Sequence, residues 1–370
     1  MKDIKKLLFK NTLLCYNFSV KKIKEIIMKF KYAIYGAGSL GIVLSAYLAK
    51  SGEIFDIIDR NPKSVEALNS NGAVVKGKAN FSAKVHAIHE DEVTKKYDII
   101  FMLSKQIENK KTVKKLSKML ASDGVICTMQ NGLPEADVAE VIGENRTYGC
   151  AVGWGATRLD YGVSELTSEP EKEYLGFSFG SMDGHKDDKF DEIVRILNVM
   201  GTVAVEENFI GARWVKLLIN SAFSGMSTVC GDTFGAVAKN KASRKVIQRI
   251  IKECIDVAKV AKIKIEPIQG KDVVKLLDYK GNGFKKWFSF VIIPIAIKKH
   301  SALKASMLQD IEKGKPCEID SINGIVSEFG KKFNVPTPFN DKVVEIVKSF
   351  ETKKRQPSYD NVKLFDELFK

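Results

Sequence analysis

Histidine and cysteine are scarce, with four of the first and six of the second among 370 residues. The cysteines, Cys15, Cys127, Cys150, Cys230, Cys254 and Cys317, form no C-x-x-C pair and have no histidine at metal-ligand spacing. That pattern excludes a zinc site and a disulfide framework, so no metal is expected and a reducing, cytoplasmic setting is. No apolar run reaches the roughly 18 residues of a membrane span, and Val291 to Ile297 is interrupted by Pro294. A basic stripe interleaved with aromatics is also missing. Of the net charge of +14, residues 1 to 27 carry +5, and the other lysines are scattered among acids as on solvated helix faces. Neither a nucleic acid nor a membrane is therefore an expected partner, and what remains is a bias toward small anions.

What is present is ample core material: 45% hydrophobic and 28% charged residues in a chain long enough for two domains. Residues 1 to 27 read as an extension outside the fold. Met28 leads straight into a strand, and the stretch before it has the look of a leader that native translation omits.

Tyr32 to Tyr35 is a short apolar strand, followed by Gly36-Ala37-Gly38-Ser39-Leu40-Gly41 and a helical pattern from Ile42 to Lys50. Strand, glycine turn and helix in this order form a dinucleotide cradle. Gly36 permits the turn, Gly38 lets backbone approach a pyrophosphate, and Gly41 lets the helix pack on the strand. The helix N-terminus contributes free amides and roughly half a positive charge. A second strand, Phe55 to Ile58, ends in Asp59-Arg60, where the ribose is read. A carboxylate there bonds the hydroxyls of NAD, whereas an arginine grips the 2′-phosphate of NADP, so the two residues leave the coenzyme open.

Asp98 to Leu103 and Gly124 to Met129 read as further buried strands around a lysine-rich helix, the alternation of a parallel sheet. Loops at the ends of such strands face the cofactor, which makes Ser104-Lys105-Gln106 and Gln130-Asn131-Gly132 candidates by position. From about Phe209 the period changes to 3.6 residues. Ile210 to Thr228 reads as one helix with Lys216, Asn220 and Ser224 along a slowly drifting face. The expected architecture is an α/β Rossmann-like domain over 28–206, with six to eight mostly parallel strands, and an all-α domain over 207–370, with the site between them.

Taken together, these elements resemble the ketopantoate reductase (2-dehydropantoate 2-reductase) family. The likeness adds Lys216-Leu217-Leu218-Ile219-Asn220, Ser306-Met307-Leu308-Gln309-Asp310, Glu318-Ile319-Asp320-Ser321-Ile322-Asn323-Gly324 and Pro336-Thr337-Pro338, all in family order. The resemblance implies reduction of a 2-keto acid, ketopantoate to pantoate, with NADP as the family coenzyme. It implies that Lys216 donates the proton and that Glu318 bonds the substrate hydroxyl. Asn131 and Asn220 would hold cofactor and substrate, Ser306 the substrate carboxylate, and Lys105 would stand near the cofactor. In two places the sequence departs from the family. Ser224 replaces a second asparagine, and Asp59 stands where a small residue is usual. Both favour an alternative, an NAD-dependent dehydrogenase of another branched or aromatic 2-hydroxy acid. A non-catalytic NADPH sensor is a third reading, but it gives Lys216, Ser306 and Glu318 no task. A helical second domain with apolar surface is an expected place for a homodimer contact.

Overall fold

The computed structural model describes residues 29–268 and 270–370, and the expected leader lies outside them. The strands are β1 Tyr32–Tyr35, β2 Asp56–Asp59, β3 Ala73–Gly77, β4 Phe81–Ala83, β5 Ala87–His89, β6 Tyr97–Met102, β7 Leu120–Thr128, β8 Thr147–Val152, β9 Ala156–Asp160, β10 Val163–Leu166, β11 Phe177–Ser181 and β12 Val203–Val205. Helices α1 Ser39–Lys50, α2 Pro62–Asn71, α3 Asn109–Ser117, α4 Glu135–Ile142 and α5 Asp188–Met200 alternate with them. After α5 come β12 and then helices alone: α6 Phe209–Ile219, α7 Gly225–Cys230, α8 Phe234–Lys239, α9 Lys241–Val260, α10 Val273–Leu277, α11 Gly283–Ala296, α12 Ser306–Glu312, α13 Ile325–Lys332 and α14 Pro338–Glu351.

Eight strands form the main sheet in the order β12-β11-β8-β7-β6-β1-β2-β5. All pairings are parallel except that of β8 with β11. Parallel strands covered by helices on both faces lose their alternation, and β1 is accordingly buried along its whole length. One face packs Ile34, Phe101 and Cys127 toward α1 and α5, and the other packs Ala33, Ile100 and Ile126 toward α3 and α4. Strand order reverses between β1 and β6, and a crevice opens there at the strand ends.

A second, four-stranded sheet, β4-β3-β10-β9, lies outside what the sequence announced. Its strands have three to five residues and join segments far apart in the chain, so no local period betrays them.

The helical part is built around α9, whose Val246, Ile250, Cys254 and Val257 are buried at helical spacing against α14. Where it meets the sheet, Gly149 and Gly180 stand opposite each other in β8 and β11 and leave a bare patch. The Phe209 ring fills it, so a Cβ on Gly149 would lie 2.3 Å from that ring. The start of α6 is seated on the sheet by this contact, and Lys216, two turns later, comes to the strand ends.

Candidate active site

The glycine turn closes as its spacing predicts. Gly36 has φ +107°, and a Cβ there would stand 2.7 Å from the amide of Ser104, so the loops after β1 and β6 touch at the crevice. A Cβ on Gly41 would fall 2.0 Å from the Gly36 carbonyl, which explains why the helix lies so close. Gly38 meets nothing within 4 Å. It caps α1 with no side chain bonded to the first-turn amides, so the approach to the helix N-terminus is open. Ala37, Ser39 and Leu40 complete the turn, and these residues fit a pyrophosphate.

Asp59, at the end of β2, already has work: its carboxylate accepts the Ala37 amide at 2.6 Å and the Asn61 amide at 2.8 Å. Arg60 is exposed, and its guanidinium has no hydrogen bond or ion pair among the described residues.

Lys216 leaves α6 partly buried, and its amine donates to the Val152 carbonyl at the end of β8 at 2.8 Å. Burial pushes the amine down from 10.5 to about 8, and the Arg213 guanidinium pushes the same way against Cys150, Glu135 and Glu318. Glu318 stands just before the helix that starts at Ile319. Its side chain does not cap that helix. Its Oε1 accepts the Gln106 amide of the β6 loop at 2.9 Å, across the junction. Burial raises its carboxyl above the usual range, while the Gln106 amide, Lys105 and Lys216 oppose the shift. Burial thus acts on both groups, the amine moving down and the carboxyl up, and each feels the charge of the other.

The loops complete the cleft. Lys105 pairs with Asp310 of α12. Gln106 donates its side-chain amide to the Asn131 carbonyl and accepts the Ser321 hydroxyl at 3.4 Å on its own carbonyl. Gly132, with φ +79°, lies so near Ser321 that a Cβ would be 2.3 Å from its carbonyl. Asn220 and Ser224 sit at the two ends of a π-helical turn, Asn220–Ser224. The sequence predicts an unbroken α-helix here, and the structure corrects it. A π turn takes an extra residue and turns Ser224 back toward the face of Lys216, reducing the drift that ideal α geometry gives. Ser306 is the exposed first residue of α12 and has no side-chain partner among the described residues. Through Gln106 the structure ties together Glu318, the neighbouring Lys105 and the Asn131 carbonyl; Lys216 reaches Glu318 through its charge alone, and the Ser306 side chain has no link to them.

Residues outside the sequence expectations hold this arrangement. Arg213 is fully buried, pairs with Glu135 of α4, and donates to the carbonyls of Gln130 at 2.7 Å and Thr128 at 3.1 Å. A second π turn, Asp320–Gly324, follows Glu318. From it Asn323 donates to the Ser221 carbonyl of the first π turn at 3.0 Å and to Asn340 at 2.9 Å, and Asn340 donates to Glu253 at 2.7 Å. An arginine inside the apolar run of α6 was the one visible signal. Groups of four histidine, cysteine or acidic residues suited to a metal do not occur among the described residues, nor do groups of three.

A Rossmann sheet whose strand ends meet a helical domain bearing an amine and a carboxyl is the layout of a two-domain, dinucleotide-linked oxidoreductase. The chain belongs to the ketopantoate reductase family: residues 32–178 match ketopantoate reductase PanE/ApbA, and residues 208–351 match its C-terminal domain. It is similar to the 2-dehydropantoate 2-reductases of Archaeoglobus fulgidus, 27% identical over 86% of this chain and 97% of that one, and of Aquifex aeolicus, 26% identical over 88% and 98%. Among solved structures it shares its fold with D-mandelate dehydrogenase bound to NADH and anilino(oxo)acetate, at TM-score 0.75 and 22% identity over 87% of this chain and 99% of that one.

Proposed function

We propose that the protein reduces 2-dehydropantoate to pantoate with NADPH. The observation that carries this reading is the Lys216 amine, held at the strand end by the Val152 carbonyl and near enough to Glu318 for each to feel the charge of the other. The glycine turn and the uncapped N-terminus of α1 would hold the pyrophosphate, and the bound nicotinamide supplies the hydride to the carbonyl carbon. Lys216 places its ammonium on the carbonyl oxygen, stabilises the charge that develops there, and gives up its proton, so the ketone becomes an alcohol. Glu318, kept in place by the Gln106 amide, accepts the hydroxyl of the substrate. Asn220 and Ser224 line the same face, and Ser306 at the start of α12 offers a hydroxyl to the carboxylate.

The preference for NADPH rests on occupancy. Both oxygens of Asp59 accept backbone amides, whereas the Arg60 guanidinium is free for a 2′-phosphate. An NAD-linked dehydrogenase of another 2-hydroxy acid is the second reading, favoured by Ser224, a shorter donor than asparagine at the substrate's hydroxyl end. Steady-state turnover of ketopantoate and a panel of 2-keto acids with each coenzyme tests both. Ketopantoate with NADPH is expected to give the highest kcat/KM, and Arg60→Ala is expected to raise KM for NADPH while leaving KM for NADH unchanged. Turnover confined to a different acid would end the first reading.

A further inference from the structure

Helix α11 is turned inside out. Phe284, Trp287, Phe288, Val291 and Ile295 fall within an arc of about 100° at 100° per residue, the width of stripe that helices usually bury. Here the arc faces outward, with exposures from 39% at Phe288 to 72% at Phe284, and only Ser289 and Ile293 of the helix are buried. Along the chain on either side of it the charge has one sign. Between Asp278 and Asp310 the chain has six lysines and no acid. Lys280 and Lys285 lie at one end of α11 and Lys298 and Lys299 just beyond the other, and none of these, nor Lys286, has an ion pair among the described residues; Lys304 pairs with Glu312. Beside the arc is an open cleft of about 600 Å³, whose lining includes Lys245, Arg249, Lys286, Trp287 and Phe369, with Asp366 as its one acid.

We propose that α11 docks the protein on an anionic phospholipid surface, its apolar arc at the boundary of headgroups and acyl chains and its flanking lysines on headgroup phosphates. The chemistry selects this occupant. An apolar arc with a tryptophan and cationic ends is the composition of a helix that lies in a membrane interface. A second copy fits worse, because a two-fold contact through α11 sets lysine ends against lysine ends in either orientation. The expectation that no membrane is a partner came from the absence of a spanning run, and an interfacial helix needs none.

The full-length protein is mixed at low salt with vesicles of phosphatidylglycerol and phosphatidylcholine, or of phosphatidylcholine alone, and followed by co-sedimentation and tryptophan emission. Trp154 and Trp214 are buried, so a blue shift reports Trp287. Binding and a blue shift are expected with the anionic vesicles only. The double variant Trp287→Ser/Ile295→Ser should lose both while keeping its turnover in solution and its thermal midpoint. Lys298→Gln/Lys299→Gln should bind about thirty-fold more weakly, as roughly 1 kcal/mol per surface lysine implies. Failure of the wild-type protein to sediment with anionic vesicles overturns the proposal, as does equal binding by the double variant. So does a wild-type dimer that Trp287→Ser/Ile295→Ser converts to monomer, since the arc would then be a subunit contact.

Discussion

Two cations of α6 divide the labour at the residue scale. Lys216 is positioned to give up a proton, and Arg213 to hold Glu135 and the end of β7 in place. With the lysine amine pushed down to about 8, the donor form is lost as pH rises through that value, so kcat/KM for keto acid reduction should fall above pH 8 and not near 10.5. A pH–rate profile from 6 to 10.5 checks this. Lys216→Ala should lower kcat by about 10²–10⁴-fold while coenzyme binding persists, measured by turnover and by fluorescence titration with NADPH. Arg213 neutralises Glu135 and closes two strand-end carbonyls. Arg213→Ala leaves that carboxyl buried without its partner and should cost about 3–5 kcal/mol in urea unfolding. Sequence singled out Lys216 by its place in a family motif. It was silent on Arg213, because an arginine in an apolar helix becomes informative only when the acid opposite is known.

Elements matter here where they depart from regularity. Two π turns hold the polar face of the cleft, and each leaves backbone groups that a regular helix would satisfy itself. Asn323 takes one of them, the Ser221 carbonyl, and is anchored behind by Asn340 and Glu253. Asn323→Leu should therefore destabilise the protein by about 1–3 kcal/mol in urea unfolding, the range for an orphaned buried acceptor. It should also lower kcat more than it raises KM for NADPH, because the turn that carries Asn220 and Ser224 loses its tie. The period of 3.6 residues was enough to expect a helix over this stretch, and helix it is from Phe209 to Cys230, yet no pattern of apolar residues marks a π turn. That turn is set by the neighbour it meets.

At the scale of the whole molecule, the polar contacts that join the sheet to the helices at the site include Gln106 with Glu318 and Ser321, Lys105 with Asp310, Lys216 with Val152, and Arg213 with Glu135 and the end of β7. A coenzyme bound at the strand ends adds to them, so NADPH at a hundred times its dissociation constant should raise unfolding free energy by about 2.7 kcal/mol, and NADH at the same concentration by less if Arg60 reads the phosphate. Urea titration with each coenzyme measures the difference.

The sequence by itself determined the glycine turn between β1 and α1, the central strands and the switch to helices near Phe209, because glycine spacing, buried apolar runs and helical period are local signals. Only the tertiary structure decided which groups face each other: the small second sheet, the Arg213–Glu135 pair, the reach of Glu318 to the β6 loop, the capture of the Asp59 carboxylate by the glycine turn and the outward face of α11. Each of these depends on residues distant in the chain, and a linear string carries no record of which distant segments will be pressed together when the two cores close.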